Sequence, residues 1–469
     1  LPRKKPVIVE NKEEPQSATG EAQPPDLLPY MLNDYGNSQR LVALYGADLR
    51  YCHDVRKWLV WDGRRWKQDT TGEAYRLAKQ AMLEFASQAL DRGTKEVRQF
   101  AIGSLNERRI SHLLILAQSD IFIEPHRLDA HSKLLNAING TIELDTGNLR
   151  PHHREDFLTK LVAVEYHPEA RCPRWDQFLR EVLDENLLDY VQRALGYSLT
   201  GLTGEKAVFA LYGPGNSGKT TLLTTFRELI AEYAVVIQAD TLMSRAHDTN
   251  NTQADLCDLR GARFVHTSEC EASQRLSQAR LKAITQGMGH IKATRKYENP
   301  ITFPETHKLW LDTNERPGIK NVDDQATFNR LHPIPFLRSV PRDEIDQDLG
   351  NKLKAEAEGI FAWAVAGAKA WCERGLGKPP EVEAATEQWR GENDNLGWFI
   401  EECCVVGDAF SARAREIYTA YKQWAERSGE KVAASDREFS ARLISRGFKK
   451  KHKERGWIYE GIGLTADVS

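Results

Sequence analysis

No run of eighteen apolar residues occurs in the 469-residue chain, so nothing in it reads as a membrane-spanning helix. No signal-peptide pattern opens it either, because the basic stretch Leu1-Pro2-Arg3-Lys4-Lys5 is not followed by an apolar core. The expected location is inside a cell, in the cytoplasm of a bacterium or an infected host. Cysteine is sparse, with seven residues and no C-x-x-C pair, so neither a disulfide framework nor a zinc ribbon is suggested. His152, His153, His167 and Cys172 stand loosely together, but their spacing fits no standard zinc motif. There is no internal repeat and no excess of either charge, since 64 Lys+Arg against 67 Asp+Glu leave a net −3. A nucleic-acid binder of that balance must concentrate its cations locally.

What is present reads as an α/β protein of several parts. Residues 1–35 are rich in Pro, Glu, Lys and Gln and have the composition of a disordered tail or linker. Residues 36–165 read as an α+β domain. Within it, Lys57–Lys67 is a hairpin turning at Asp62-Gly63, and Ala74, Leu77, Ala78, Ala81, Met82 and Phe85 recur at helical spacing. The hairpin tryptophans Trp58, Trp61 and Trp66 suit a core better than a base-stacking platform. Asn139–His152 is a second hairpin. Residues 166–375 read as an ATPase domain, entered through two helices that end at Gly196. From 380 to 469 the pattern turns helical, with Ile417, Tyr418, Tyr421 and Trp424 sharing a face. A second helix follows at about 436–446, and a strand pair comes last.

The chemistry centres on one segment. Ala207–Tyr212 is an apolar strand leading into Gly213-Pro214-Gly215-Asn216-Ser217-Gly218-Lys219-Thr220, after which Thr221 onward reads as a helix. This is G-x-x-x-x-G-K-[ST] between strand and helix, the setting the motif requires. Its glycines let backbone N–H groups wrap phosphates at a helix N-terminus. Lys219 is placed to reach the β- and γ-phosphates of ATP, and the Thr220 hydroxyl to ligate Mg²⁺. Arg263–Glu269 is a short apolar strand ending in an acid, so Glu269 is the candidate to polarise the attacking water. Ser268 stands before it where many P-loop motors carry Asp, which leaves Mg²⁺ to Thr220, Glu269 and waters. Lys308–Asn314 is a third strand, and Asn314 suits a sensor that hydrogen-bonds the γ-phosphate or the water. Asp312 is a second, weaker candidate for that position.

These three strand-borne motifs lie about 45–50 residues apart and resemble those of superfamily 3 helicases. Asn139–Leu144, Ala170–Leu179, Leu195–Gly201 and Phe328–Phe336 are likewise similar to the helicase half of phage, plasmid and poxvirus primase–helicases. The resemblance runs from about 40 to 465. It implies an AAA+-like ATPase core, a C-terminal winged-helix domain and a homo-hexameric ring with single-stranded DNA in its channel. It also implies work on forked duplex beside a primase, in the replication of a phage or mobile element. No primase acid cluster precedes residue 40, so a primase is expected in an upstream segment or a separate chain. Arg330 matches the family's arginine finger, the plainer reading being a pairing with Asp323 or Asp324. Lys292, Arg295, Lys296 and Tyr297 match a channel hairpin that grips DNA, or else form a solvated surface hairpin. Gly287-Met288-Gly289-His290 replaces the Gly-Gly-Asp usual before it, and Lys282, which matches a lysine upstream of the hairpin in the family, is a candidate contact to nucleotide or DNA. Lys449, Lys450, Lys451 and Lys453 lie in the densest basic cluster, on the expected wing. Two other readings remain open: an NTPase that remodels or packages nucleic acid without unwinding it, and an origin-binding protein with an ATP switch.

Overall fold

The computed structural model describes residues 24–244, 255–267, 274–295, 299–341, 343–428, 434–453 and 456–465. The chain divides into two units, residues 1–62 with 66–127, and 63–65 with 128–469.

In the first unit, α1 (Asp34–Tyr45) is followed by a three-stranded antiparallel sheet of β1 (Leu49–Cys52), β2 (Lys57–Trp61) and β3 (Trp66–Gln68). Helices α2 (Glu73–Arg92), α3 (Lys95–Gly103) and α4 (Glu107–Ala117) complete it. The expected hairpin forms, with Trp61 opposite Trp66, and Trp66 is fully buried as a core residue. Helix α2 buries Ala74, Ala78, Ala81, Met82 and Phe85, the stripe its spacing predicts. The tail, however, ends earlier than residue 35. Leu27 is buried, its amide donates to Gln88 Oε1 (2.9 Å), and its carbonyl accepts from Arg40 Nε (2.9 Å). Leu28 and Tyr30, partly buried, pack with it in the same cluster as Phe85 and Ala89.

The second unit starts with an antiparallel meander of β4 (Leu134–Ala137), β5 (Gly140–Glu143) and β6 (Asn148–Arg150). Its border at Leu128 differs from the one expected near 165. The reason is packing: Leu135, Ile142 and Leu144 share one core with Trp175, Phe178 and Phe361. Helices α5 (Pro173–Val182) and α6 (Glu185–Tyr197) follow, as the sequence predicts. Gly196 does not terminate α6. A Cβ there would lie 2.1 Å from the Ala368 amide nitrogen, so this glycine lets α6 pack closely on the helix Ala357–Arg374.

The central sheet contains β7 (Val208–Tyr212), β8 (Ala234–Ile237), β9 (Phe264–Thr267), β12 (Lys308–Thr313) and β13 (Leu331–Pro335). All five are parallel, in the order β13-β7-β12-β9-β8. Helix α7 (Lys219–Ile230) packs on one face through Leu222, Leu223 and Phe226. Such strands are covered on both faces, which explains why they read as continuous apolar runs. Between β9 and β12, the antiparallel pair β10 (His290–Ala293) and β11 (Ile301–Pro304) forms the expected hairpin.

The C-terminal region corrects one expectation. It is not helical up to a final strand pair, because β14 (Cys404–Arg413) stands between the helices Asn395–Cys403 and Ala414–Arg427. Val405-Val406 and Phe410 mark it in the sequence, but Gly407 and Asp408 interrupt the alternation, and the register shifts between Val406 and Ser411. With β15 (Lys449–Lys453) and β16 (Gly456–Leu464) it forms a sheet of order β14-β16-β15. No helix among the described residues is long and apolar enough to cross a membrane.

Candidate active site

Strand β7 is buried from Val208 to Leu211 and delivers the chain to Gly213 at the C-terminal end of the sheet. Gly213 has φ +148°, and a Cβ there would lie 2.0 Å from the Phe336 carbonyl oxygen, so no side chain fits. The segment after β13 braces the loop. Phe336 N donates to Tyr212 O (2.8 Å), Val340 N to Asn216 O (3.0 Å) and Ser339 Oγ to Gly215 O (2.9 Å). At the loop's other end Gly218, at φ +87°, opens α7.

The Lys219 side chain folds back into this loop. Its ammonium donates to Gly213 O and Pro214 O (both 2.9 Å), to Ser217 Oγ (3.2 Å) and to Asn314 Oδ1 (3.2 Å). Thr220 Oγ1 donates to Asp312 Oδ2 at 2.6 Å. Thus β12 contributes Asp312 to the site, and Asn314 follows directly after the strand's last residue, Thr313. Trp310, two residues before Asp312 and so on the same face of the strand, stacks on Phe209 (4.3 Å) and anchors that face beneath α7. Beside the loop opens a groove of about 1830 Å³, walled by Phe178, Val182, Thr221, Arg338 and Leu349. Loop and groove together offer a cradle for phosphates and an amphipathic wall for a nucleoside. The ammonium's bonds to loop carbonyls are ones that phosphate oxygens would replace with stronger, charge-assisted contacts. The residues present therefore fit a nucleoside triphosphate.

The structure brings Lys219, Thr220 and Asn314 together, whereas Ser268 and Glu269 lie outside the described residues. Arg330 stands elsewhere. Val208 N donates to its carbonyl (2.7 Å), which places it at the start of β13 beside the start of β7. The length of β7 separates it from the loop, roughly 15 Å at strand rise. Its Nε donates to Thr285 O and Oγ1 (3.2 Å each) and its Nη1 to Ala326 O (2.6 Å). It does not pair with Asp323 or Asp324 as the plainer reading supposed. Asp324 takes Lys282 (2.7 Å), and Asp323 takes Arg442 (3.2 Å) and Arg446 (3.1 Å). In this structure Lys282 therefore serves an ion pair.

Of the candidate DNA contacts, Lys292 is exposed on β10, Arg295 pairs with Asp258, and Lys296 and Tyr297 lie outside the described residues. On β15, Lys449, Lys451 and Lys453 are exposed. Lys450 is not equivalent to them: it donates to Ser440 Oγ (2.9 Å) and lies 5.4 Å from the Tyr459 ring centroid. Lys451 and Lys453 approach Glu460 at 2.7 and 3.7 Å. Exposed pairs of this kind are weak enough for a polyanion to displace.

Fold and loop together define a P-loop α/β protein. Three family models match the chain: "D5 N terminal like" over 38–184, a family of unknown function over 211–330, and "Poxvirus D5 protein-like" over 391–461. The D5 matches at both ends make the chain similar to D5-type superfamily 3 primase–helicases. A protein of Acanthamoeba polyphaga mimivirus named "Putative helicase" is 24% identical over 358 residues, covering 71% of this chain. Similarly named proteins of Frog virus 3 and the Sputnik virophage are 26% and 23% identical, over 61% and 43% of this chain. The chain spans only 37%, 30% and 28% of the length of these relatives. Solved structures of the NrS-1 C terminal region align over 88% of this chain and 96% of theirs, with 11% identity and TM-scores of 0.47 and 0.48.

Proposed function

We propose that the chain is the ATP-driven motor of a replicative DNA helicase, acting as a ring on single-stranded DNA. The observation that carries this is the cluster of Lys219, Thr220, Asp312 and Asn314 at the C-terminal end of the sheet. In chain order that sheet runs 5-1-4-3-2, an order that supports an AAA+-like reading of the core. Lys219 neutralises phosphate charge, Thr220 offers its hydroxyl to Mg²⁺, Glu269 polarises water and Asn314 hydrogen-bonds the γ-phosphate or that water. Mg²⁺ supplies charge stabilisation to the transferring phosphoryl group.

Ring action is supported by the place of Arg330, at the end of β7 remote from its own phosphate loop, where it would serve a neighbouring subunit's nucleotide after releasing Thr285 and Ala326. A winged-helix reading of the C-terminal region is supported by its order of helix, β14, two helices, β15 and β16, with β16 central in the sheet. Lys449, Lys451 and Lys453 then lie along the wing. The family resemblance supports a primase partner and a mobile-element setting. The direct test is ATP hydrolysis with and without single-stranded DNA. Stimulation by DNA, abolished by Lys219→Ala, is expected. Hydrolysis indifferent to DNA would remove the motor reading.

A further inference from the structure

The sequence places Ser268, an uncharged residue, immediately before Glu269, where P-loop NTPases of the motor type hold their metal with an aspartate. The structure offers a carboxylate one strand away. Asp312 is 2% exposed, on the strand lying between β7 and β9, and it accepts the Thr220 hydroxyl proton at 2.6 Å. Its strand register pairs it with Leu211 of β7, two residues before Gly213, while its neighbour Leu311 pairs with Thr267 of β9. Position 312 is thus held at the level where β9 ends and the phosphate loop begins. A hydroxyl whose proton is committed to a carboxylate keeps its lone pairs for a cation, and the carboxylate strengthens it as a donor to metal. Among the described residues one neutral hydroxyl serves this buried carboxylate, and its desolvation cost is one that a dication bound beside it offsets.

We propose that Asp312 is the metal-holding carboxylate of this site. It orients Thr220, supplies the negative charge required by the Mg²⁺ that accompanies a nucleoside triphosphate, and leaves Glu269 to act on water. This rests on the nucleotide reading above and assigns the division of labour within it.

Binding of a fluorescent ATP analogue, measured by anisotropy in EDTA and in Mg²⁺, tests the assignment without turnover. The wild-type protein should bind more tightly in Mg²⁺. Asp312→Asn should keep its affinity in EDTA and lose on the order of tenfold or more of the Mg²⁺-dependent gain. Glu269→Gln should keep that gain. A full gain in Asp312→Asn, or its loss in Glu269→Gln instead, overturns the proposal. Retained EDTA affinity reports that the asparagine variant is folded. If it does not fold, the exchange Asp312→Ser with Ser268→Asp is measured, and failure to restore the gain counts against Asp312. Wild-type protein that binds no nucleotide in either condition points instead to failure of the nucleotide reading itself.

Discussion

The Val208 amide donates to the Arg330 carbonyl at 2.7 Å, which fixes Arg330 at the end of the sheet opposite Lys219. A guanidinium so placed cannot reach its own phosphate loop across the length of β7. If it contributes to hydrolysis, it does so on a nucleotide held by a neighbour.

Arg330→Ala should therefore bind ATP almost normally and hydrolyse it about 10³–10⁵-fold more slowly, the usual worth of a finger supplied in trans. Lys219→Ala loses its own site but still presents an intact Arg330. Mixing the two mutants should restore part of the ATPase, because some interfaces then pair an intact loop with an intact finger. Full activity of Arg330→Ala as a sedimenting monomer would contradict the ring.

Lys219 and Asn314 share a 3.2 Å hydrogen bond, yet the proposed function gives them separable roles. Lys219→Ala should abolish hydrolysis and weaken ATP binding, since the ammonium neutralises phosphate charge. Asn314→Ala should bind ATP and lose about 10²–10³-fold in turnover, as removal of one preorganised donor does elsewhere. Equal losses of affinity in both variants, measured by titration calorimetry, would merge the two roles.

Much of this site was readable from residue order alone. Ala207–Thr220 specifies strand, loop and helix through an apolar run, glycines and the Lys-Thr pair, and these are local signals. Asn314 was legible as the end of an apolar strand. The role of Asp312 was not, because the sequence shows its position on a strand but not which strand lies beside β7. The parallel pairing of β12 with β7 is a long-range fact, and only that pairing brings Asp312 to Thr220. Gly196 misled for a similar reason: a glycine near a helix end usually signals a stop, whereas here it answers to a distant helix, at Ala368. The salt bridges from Arg442 and Arg446 to Asp323 also left no local trace.

The hairpin and wing cations should act on DNA by charge. Replacing Lys292, Arg295 and Lys296 with Ala should make single-strand binding less salt-dependent, by about one unit of slope for each phosphate that is no longer neutralised. Basal ATPase should persist while its stimulation by DNA falls. Replacing Lys449, Lys451 and Lys453 with Ala should weaken duplex binding more than it alters hydrolysis. An unchanged salt slope in the hairpin triple mutant would move the DNA track elsewhere.

Acid should destabilise the core before its carboxylates titrate. His266, His307 and His332 have pKa values lowered to about 4, 3 and 3 by burial, reinforced by Arg227, Lys308 and Lys378 respectively. In the unfolded chain each returns to about 6.5. Their neutral burial is therefore without cost above that value. Stability is lost as pH falls from about 6.5, toward 4 for His266 and toward 3 for His307 and His332, at up to about 1.4 kcal/mol per pH unit for each histidine. Urea midpoints at pH 7.5 and 5.0 check the sign, and an equal or higher midpoint at pH 5.0 would contradict it.

Strand displacement from a forked duplex is the measurement closest to the central claim. With ATP and Mg²⁺, the wild-type protein should release the labelled strand, with a rate that rises as the protein assembles and requires a single-stranded arm. Lys219→Ala should show none, and the hairpin triple mutant should hydrolyse ATP without displacing strand. Vigorous DNA-stimulated hydrolysis with no displacement, on forks of either polarity and at concentrations where rings sediment, would contradict a helicase and leave a nucleic-acid-dependent NTPase that does not unwind.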